Sequence, residues 1–202
     1  MQLHKTILGL LFTLLSLIAV NLSYAHSPQP ETTNNNYTIF PAPRNMESFQ
    51  LVTNKNASFT EQSLHNHWTL LFFGFTHCPR ICPTTLAKME HIDKQLNAKN
   101  PSLQYVLVTV DPDRDTVTVL DQYVNKFNPQ FIGVTGKEVE LQKLEKQLGA
   151  FAQRVPEANG DYSMEHSSSV LLINPEGKWV GVLPYAMTPI AIANAVEKVI
   201  KG

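Results

Sequence analysis

Cysteine is nearly absent from this chain. Cys78 and Cys82 are the only two in 202 residues, four apart in Phe75-Thr-His-Cys-Pro-Arg-Ile-Cys-Pro83. One bridge is the most they can form, and closing so short a loop stabilises a fold by about 2 kcal/mol, against about 4 to 5 for a bridge spanning a hundred residues. A structural staple is therefore the weaker explanation, and chemistry the better one. An excess of charge of one sign is also missing: 16 basic and 17 acidic residues are mixed along the chain and leave a formal charge of −1. That gives no field for nucleic acid or an anionic membrane surface. No arginine precedes Arg44, which excludes an arginine-rich mitochondrial transit peptide. No internal repeat is visible. What remains, 43% hydrophobic and 16% charged residues, suits one ordinary folded domain with extensions.

Residues 1–25 stand apart. A short n-region carries Lys5, Thr6 to Val20 is almost wholly apolar, and Ser23-Tyr24-Ala25 resembles a small-x-small cleavage site. The segment reads as a secretory signal peptide or, if Asn21 and Leu22 extend it, an uncleaved N-terminal membrane anchor. Either places the domain in the periplasm, exported and in the second case anchored to a bacterial inner membrane. Residues 26–45, rich in Pro, Thr and Asn, read as a linker or ordered surface arm, and 46–202 as the folded domain.

Within that domain, Phe49 to Thr53 alternates like an edge strand, and His67 to Phe75 is an apolar run suited to a strand buried on both faces. From Cys82 to Asn97, Leu86, Met89 and Leu96 track one helical face, with Pro83 in the first turn. Leu103 to Val110 predicts a second buried strand, the polar segment Asp111-Pro-Asp-Arg-Asp-Thr116 a loop, and the stretch through Lys126 a helix. A strand at Phe131 to Val134, a helix from Lys137 to Leu148 stopped by Gly149, and a strand at Phe151 to Val155 follow. Asn159-Gly160 marks a tight loop. Ser168 to Ile173 and Lys178 to Leu183 form a hairpin, and Thr188-Pro189 caps a last helix. This order predicts an α/β fold with a central mixed β-sheet flanked by helices. Cysteines at a strand-to-helix junction then point to a thioredoxin-like fold, where the helix N-terminus favours thiolate over thiol.

The spacing of four brings both sulfurs to one side and permits either a disulfide or an open bite for a metal. Two thiolates suit Cu(I), and an added imidazole makes a trigonal site close to what soft copper prefers. His77 adjoins Cys78 and should diverge. His91 is out of helical phase with Cys82, His65 and His67 lie at the far end of the strand, and His26 would be an N-terminal chelator. His166, in Tyr162-Ser-Met-Glu-His-Ser-Ser168 just before a strand, is the remaining candidate. Met164 and Met187 are soft side chains better explained by packing. Asp111, Asp113 and Asp115 alternate as in a calcium loop, but Thr116 and Gln122 stand where that loop needs glycine and glutamate. The segment reads instead as a supporting loop, with Arg114 or the aspartates bonding backbone.

Together, Gly74-Phe-Thr-His-Cys-Pro-x-x-Cys-Pro-Thr-Thr85, Val110-Asp-Pro-Asp-Arg-Asp-Thr116, Phe131-Ile-Gly-Val-Thr-Gly136, and His166-Ser with its following strand and Pro-x-Gly turn resemble the Sco/SenC family in order and spacing. The resemblance implies a thioredoxin-like copper-binding protein, usually membrane-tethered, that assists assembly of the dinuclear copper centre of cytochrome c oxidase. It implies copper, as Cu(I) or Cu(II), on Cys78, Cys82 and His166, with His166 on an inserted hairpin or loop. It also implies the oxidase copper-centre subunit as partner, alongside other periplasmic copper chaperones or thiol-disulfide proteins. Arg80 departs from the pattern, because many relatives carry aspartate between the cysteines. Its charge should lower the cysteine pKa and oppose a dication. A thiol-disulfide reductase using Cys78 and Cys82 as its redox pair is the competing expectation, and a peroxidase would need its own arginine-supported pocket.

Overall fold

Strand Trp68–Gly74 (β4) has six of its seven residues buried, which is what a continuous apolar run requires at the centre of a two-faced sheet. The computed structural model describes residues 36–96, 103–158 and 160–202. Residues 1–25 and His26 fall outside them, and among the described residues no helix is long and apolar enough to cross a membrane.

Before β4 come Thr38–Arg44 (β1), Leu51–Thr53 (β2) and Ser58–Phe59 (β3). After it come helix Ile81–Leu96 (α1), strand Leu103–Thr109 (β5), helix Val117–Val124 (α2), strand Ile132–Thr135 (β6) and helix Glu138–Gln147 (α3). The chain then forms Ala152–Pro156 (β7), Tyr162–His166 (β8), Val170–Ile173 (β9), Trp179–Leu183 (β10) and helix Pro189–Lys201 (α4). Among the described residues, eight strands make one sheet in the order β1-β10-β9-β4-β5-β6-β2-β3. β4, β5 and β6 are parallel, with Phe72 opposite Leu107 and Val106 opposite Ile132, while β9 runs antiparallel to β4. This is the mixed sheet with helices that the strand-helix alternation predicts.

Two local features match simple chemistry. Thr116 accepts a hydrogen bond from the Val119 N–H at the start of α2, and Thr188 does the same for Ala191 ahead of Pro189 in α4. Lys88 Nζ donates to the Tyr185 and Met187 carbonyls at 2.6 and 3.1 Å, fastening α1 to the turn that precedes α4.

One departure from the sequence reading and one agreement with it bear on the site. Residues 38–44, expected within a linker or surface arm, form an edge strand paired antiparallel to β10, so the sheet starts before Met46. Pro41 and Pro43 obscured it; proline cannot donate to a ladder, but an edge strand has a free side on which no donor is needed. The segment bearing His166 is the second strand of a hairpin, one of the two forms that the family resemblance implies. Among the described residues, β7 and β8 pair only with each other, Arg154 opposite Met164 and Ala152 opposite His166, as a two-stranded ribbon separate from the main sheet.

Candidate metal centre

The site forms where the central strand ends. Gly74 closes β4 with its Cα so near its neighbours that an added Cβ would lie 3.1 Å from Cys82 Sγ and 2.7 Å from a Phe72 ring carbon. Cys78 follows in the irregular turn, and Cys82 is the second residue of α1. The Cys82 N–H, one of the helix's unpaired first-turn donors, points at Cys78 Sγ over 3.4 Å. Both cysteines are free thiols, Cys78 partly exposed and Cys82 wholly buried.

His166 reaches the sulfurs from the last position of β8. Its Nε2 lies 3.6 Å from Cys82 Sγ, while its Nδ1 sits 2.9 Å from the Ser167 carbonyl. A carbonyl only accepts, so Nδ1 carries the proton and the Nε2 lone pair faces the sulfurs. The imidazole meets Phe72 and Phe75 edge-on, with ring centroids 5.9 and 5.7 Å away. This apolar packing lowers its pKa, chiefly by desolvation, and keeps it neutral. Cys78 Sγ, Cys82 Sγ and a His166 ring nitrogen all lie within 4.8 Å of one another, and no other group of three or more His, Cys, Asp or Glu side chains gathers in this way among the described residues. Two sulfurs and one oriented imidazole form a donor set for a soft metal ion.

One electrostatic expectation is corrected. The helix N-terminus and Arg80 should lower the cysteine pKa, but burial pushes the Cys82 thiol far up and outweighs a favourable backbone hydrogen bond from Phe75. Desolvation is the largest contribution because Cys82 Sγ is enclosed beneath Gly74 and the core. Arg80 is exposed on the rim.

The Asp111–Thr116 segment supports the site on both sides. Asp115 is buried and accepts from the Thr76 N–H (3.0 Å), the Thr76 hydroxyl and the Thr109 hydroxyl (2.7 Å), bracing the turn that carries Cys78. Asp111 accepts from Arg114 Nε and from the Tyr162 hydroxyl at 2.9 Å, and Arg114 Nη1 donates to the Tyr162 carbonyl at 3.0 Å. Asp113 accepts from Arg154 at 2.6 Å. The sequence marked the loop as supporting but missed Tyr162, Arg154 and Thr76 as its partners. The alternation of Tyr162, Met164 and His166 at two-residue steps was the available signal for a strand.

Among the described residues, the other histidines and Met187 stay apart from the three donor atoms. His77 is exposed, with its Nδ1 3.1 Å from the Thr76 hydroxyl, and His91 faces outward from α1. His65 and His67 precede the start of β4, at the end opposite the cysteines, and Met187 is buried in the core. Met164 lines a groove of about 490 Å³ that also exposes Cys78, Arg80, Ile81, Phe151 and His166.

The SCO1/SenC family model matches residues 40–201, nearly the whole described domain. The chain belongs to the SCO1/SenC family. It is 41% identical over 147 residues to a protein of Stutzerimonas stutzeri named for copper binding, covering 72% of each chain. It is 34% identical to the mitochondrial SCO2 homolog of Danio rerio, covering 76% of this chain but only 56% of that longer protein. Among solved SCO1/SenC structures, Arabidopsis thaliana ScoI with copper bound superposes with a TM-score of 0.73 at 31% identity, over 77% of this chain and 97% of that one.

Proposed function

We propose that this protein is a copper metallochaperone that takes Cu(I) on Cys78, Cys82 and His166 and passes it to the copper-centre subunit of cytochrome c oxidase. The observation that carries the reading is the convergence of two thiol sulfurs and the unprotonated nitrogen of a neutral imidazole at one point. Copper-binding relatives and the family's motifs support it. Cu(I) displaces the thiol protons, and the ion's own charge, rather than the helix dipole, is what ionises buried Cys82. The groove leaves Cys78 and His166 accessible to an acceptor, so copper passes by exchanging one ligand at a time. The place of action is the periplasmic side of the inner membrane, with residues 1–25 as signal or tether.

Competition against a Cu(I) chelator, with an assay of oxidase copper-centre assembly, tests this on wild type, Cys82→Ser and His166→Ala. Both substitutions are expected to weaken Cu(I) binding by at least about tenfold, the scale of losing one bond worth ~1.4 kcal/mol, and to impair assembly. Wild-type affinity and full assembly in His166→Ala would sink the reading.

The unequal exposure of the cysteines favours a second reading, thiol-disulfide reduction. In it, Cys78 as thiolate attacks a partner disulfide and releases one partner thiol. Cys82, losing its proton, then displaces the other; the chain's dithiol becomes a disulfide as the partner's disulfide becomes two thiols. That activity would survive His166→Ala.

A further inference from the structure

The ribbon that carries the imidazole is clasped at a place that leaves the sulfurs untouched. Among the described residues, the side-chain contacts of β7 and β8 that reach polar partners beyond the ribbon come from Arg154, Tyr162 and His166. Arg154 and Tyr162 meet Asp113, Asp111 and Arg114, and His166 meets Cys82. The Tyr162 ring carries the guanidinium of Arg114 at 3.8 Å and that of Arg154 at 4.1 Å from its centroid. Its hydroxyl is one of the donors compensating Asp111, a carboxylate with no exposure at all. A buried carboxylate that loses a donor is costly, so this contact resists release. Tyr162 and His166 share a face of one strand, roughly 13 Å apart at about 3.3 Å per residue, so fixing one end sets the other. Asp115, four residues beyond Asp111, holds the turn that carries Cys78.

We infer that Tyr162 is a positioning residue for the third copper ligand: clasped by Asp111, Arg114 and Arg154, it holds His166 against the sulfurs, and loosening that clasp converts a three-ligand site into a two-sulfur site. The inference rests on the copper reading. An intact clasp keeps the imidazole on Cu(I); with the clasp broken, Cu(I) held by two thiolates alone is open to an incoming ligand.

A double-mutant cycle tests it. Cu(I) affinity is measured by chelator competition for wild type, Tyr162→Phe, His166→Ala and the double variant, with electron paramagnetic resonance of the Cu(II)-loaded proteins reporting nitrogen coordination. Tyr162→Phe keeps the ring and removes only the hydroxyl. It is expected to weaken Cu(I) about tenfold, the scale of a hydrogen bond to a charged group, and to diminish the nitrogen coupling, yet to cost nothing further once His166 is alanine. Arg154→Gln, at an exposed position, should give the same pattern more weakly. Equal losses with and without His166, or an unchanged nitrogen signal in Tyr162→Phe, would overturn the inference while leaving the copper reading intact. A wild-type chain that binds no Cu(I) would overturn both.

Discussion

At the scale of single residues the site is governed by burial more than by local dipoles. Cys82 stood out from its motif, but its pKa was not legible there, because desolvation depends on what β4, α1 and the core place around the sulfur. Folding favours the neutral thiol, so that contribution is fully present below the ordinary thiol pKa of about 9 and is lost as pH rises toward the higher folded value. Denaturant midpoints of the metal-free protein should therefore fall above about pH 9, and Cys82→Ala should flatten the decline. His166 has the opposite slope. Its pKa is lowered, so its contribution is present above the ordinary value near 6.5 and lost as pH falls through the folded one; His166→Gln should remove that acid-side loss. Gly74→Ala would set a Cβ against Cys82 Sγ and Phe72. Overpacking of this kind costs about 1–3 kcal/mol, so the denaturant midpoint should drop and Cu(I) affinity with it. Arg80→Asp replaces a rim cation by an anion beside the sulfurs and should tighten Cu(II) about tenfold, measured by titration; equal affinities would show that Arg80 does not set the preference.

Elements were legible where one periodicity dominates. The runs that became β4 and β5 and the helical face Leu86, Met89, Leu96 could be read directly, because each is buried on a pattern a single window reveals. β1 could not, and β8 was legible only through the family resemblance. Two prolines concealed β1, and Ser163, Glu165 and His166 gave β8 the polarity of a loop, since a ribbon lying across a sheet's end buries one face only partly. The Asp111–Thr116 segment was legible as a support but not as a double one, because Thr76 lies 39 residues before the aspartate it meets, and Arg154 and Tyr162 lie 41 and 51 residues after theirs. Asp115→Ala would strand the Thr76 N–H and the Thr109 hydroxyl, both bonded to it now. The expected loss is about 2–4 kcal/mol of stability, seen as a lower denaturant midpoint in the metal-free protein. It should reach the cysteine turn without passing through His166, unlike the loss in Tyr162→Phe.

For the whole molecule, the two readings of the cysteine pair predict different cross-links. A Cys78–Cys82 disulfide closes a loop of a few residues within one turn and adds about 2 kcal/mol at most. Copper on the three proposed ligands would join Cys82 to a residue 84 positions later, tying the ribbon to the main sheet. A ligand bound only by the folded state stabilises it by about 4 kcal/mol when present at a thousand times its Kd, and for a domain of this size each kcal/mol raises Tm by roughly 2–4 °C. Cu(I) loading should therefore raise Tm well beyond what oxidation does. His166→Ala separates the two effects, because it removes the distant ligand and leaves the disulfide loop unchanged. Calorimetry of reduced, oxidised and Cu(I)-loaded wild type and His166→Ala should show the copper shift shrinking in the variant while the oxidation shift stays the same. If both shifts survive His166→Ala unaltered, the imidazole does not hold the metal, and the pair of sulfurs acts alone.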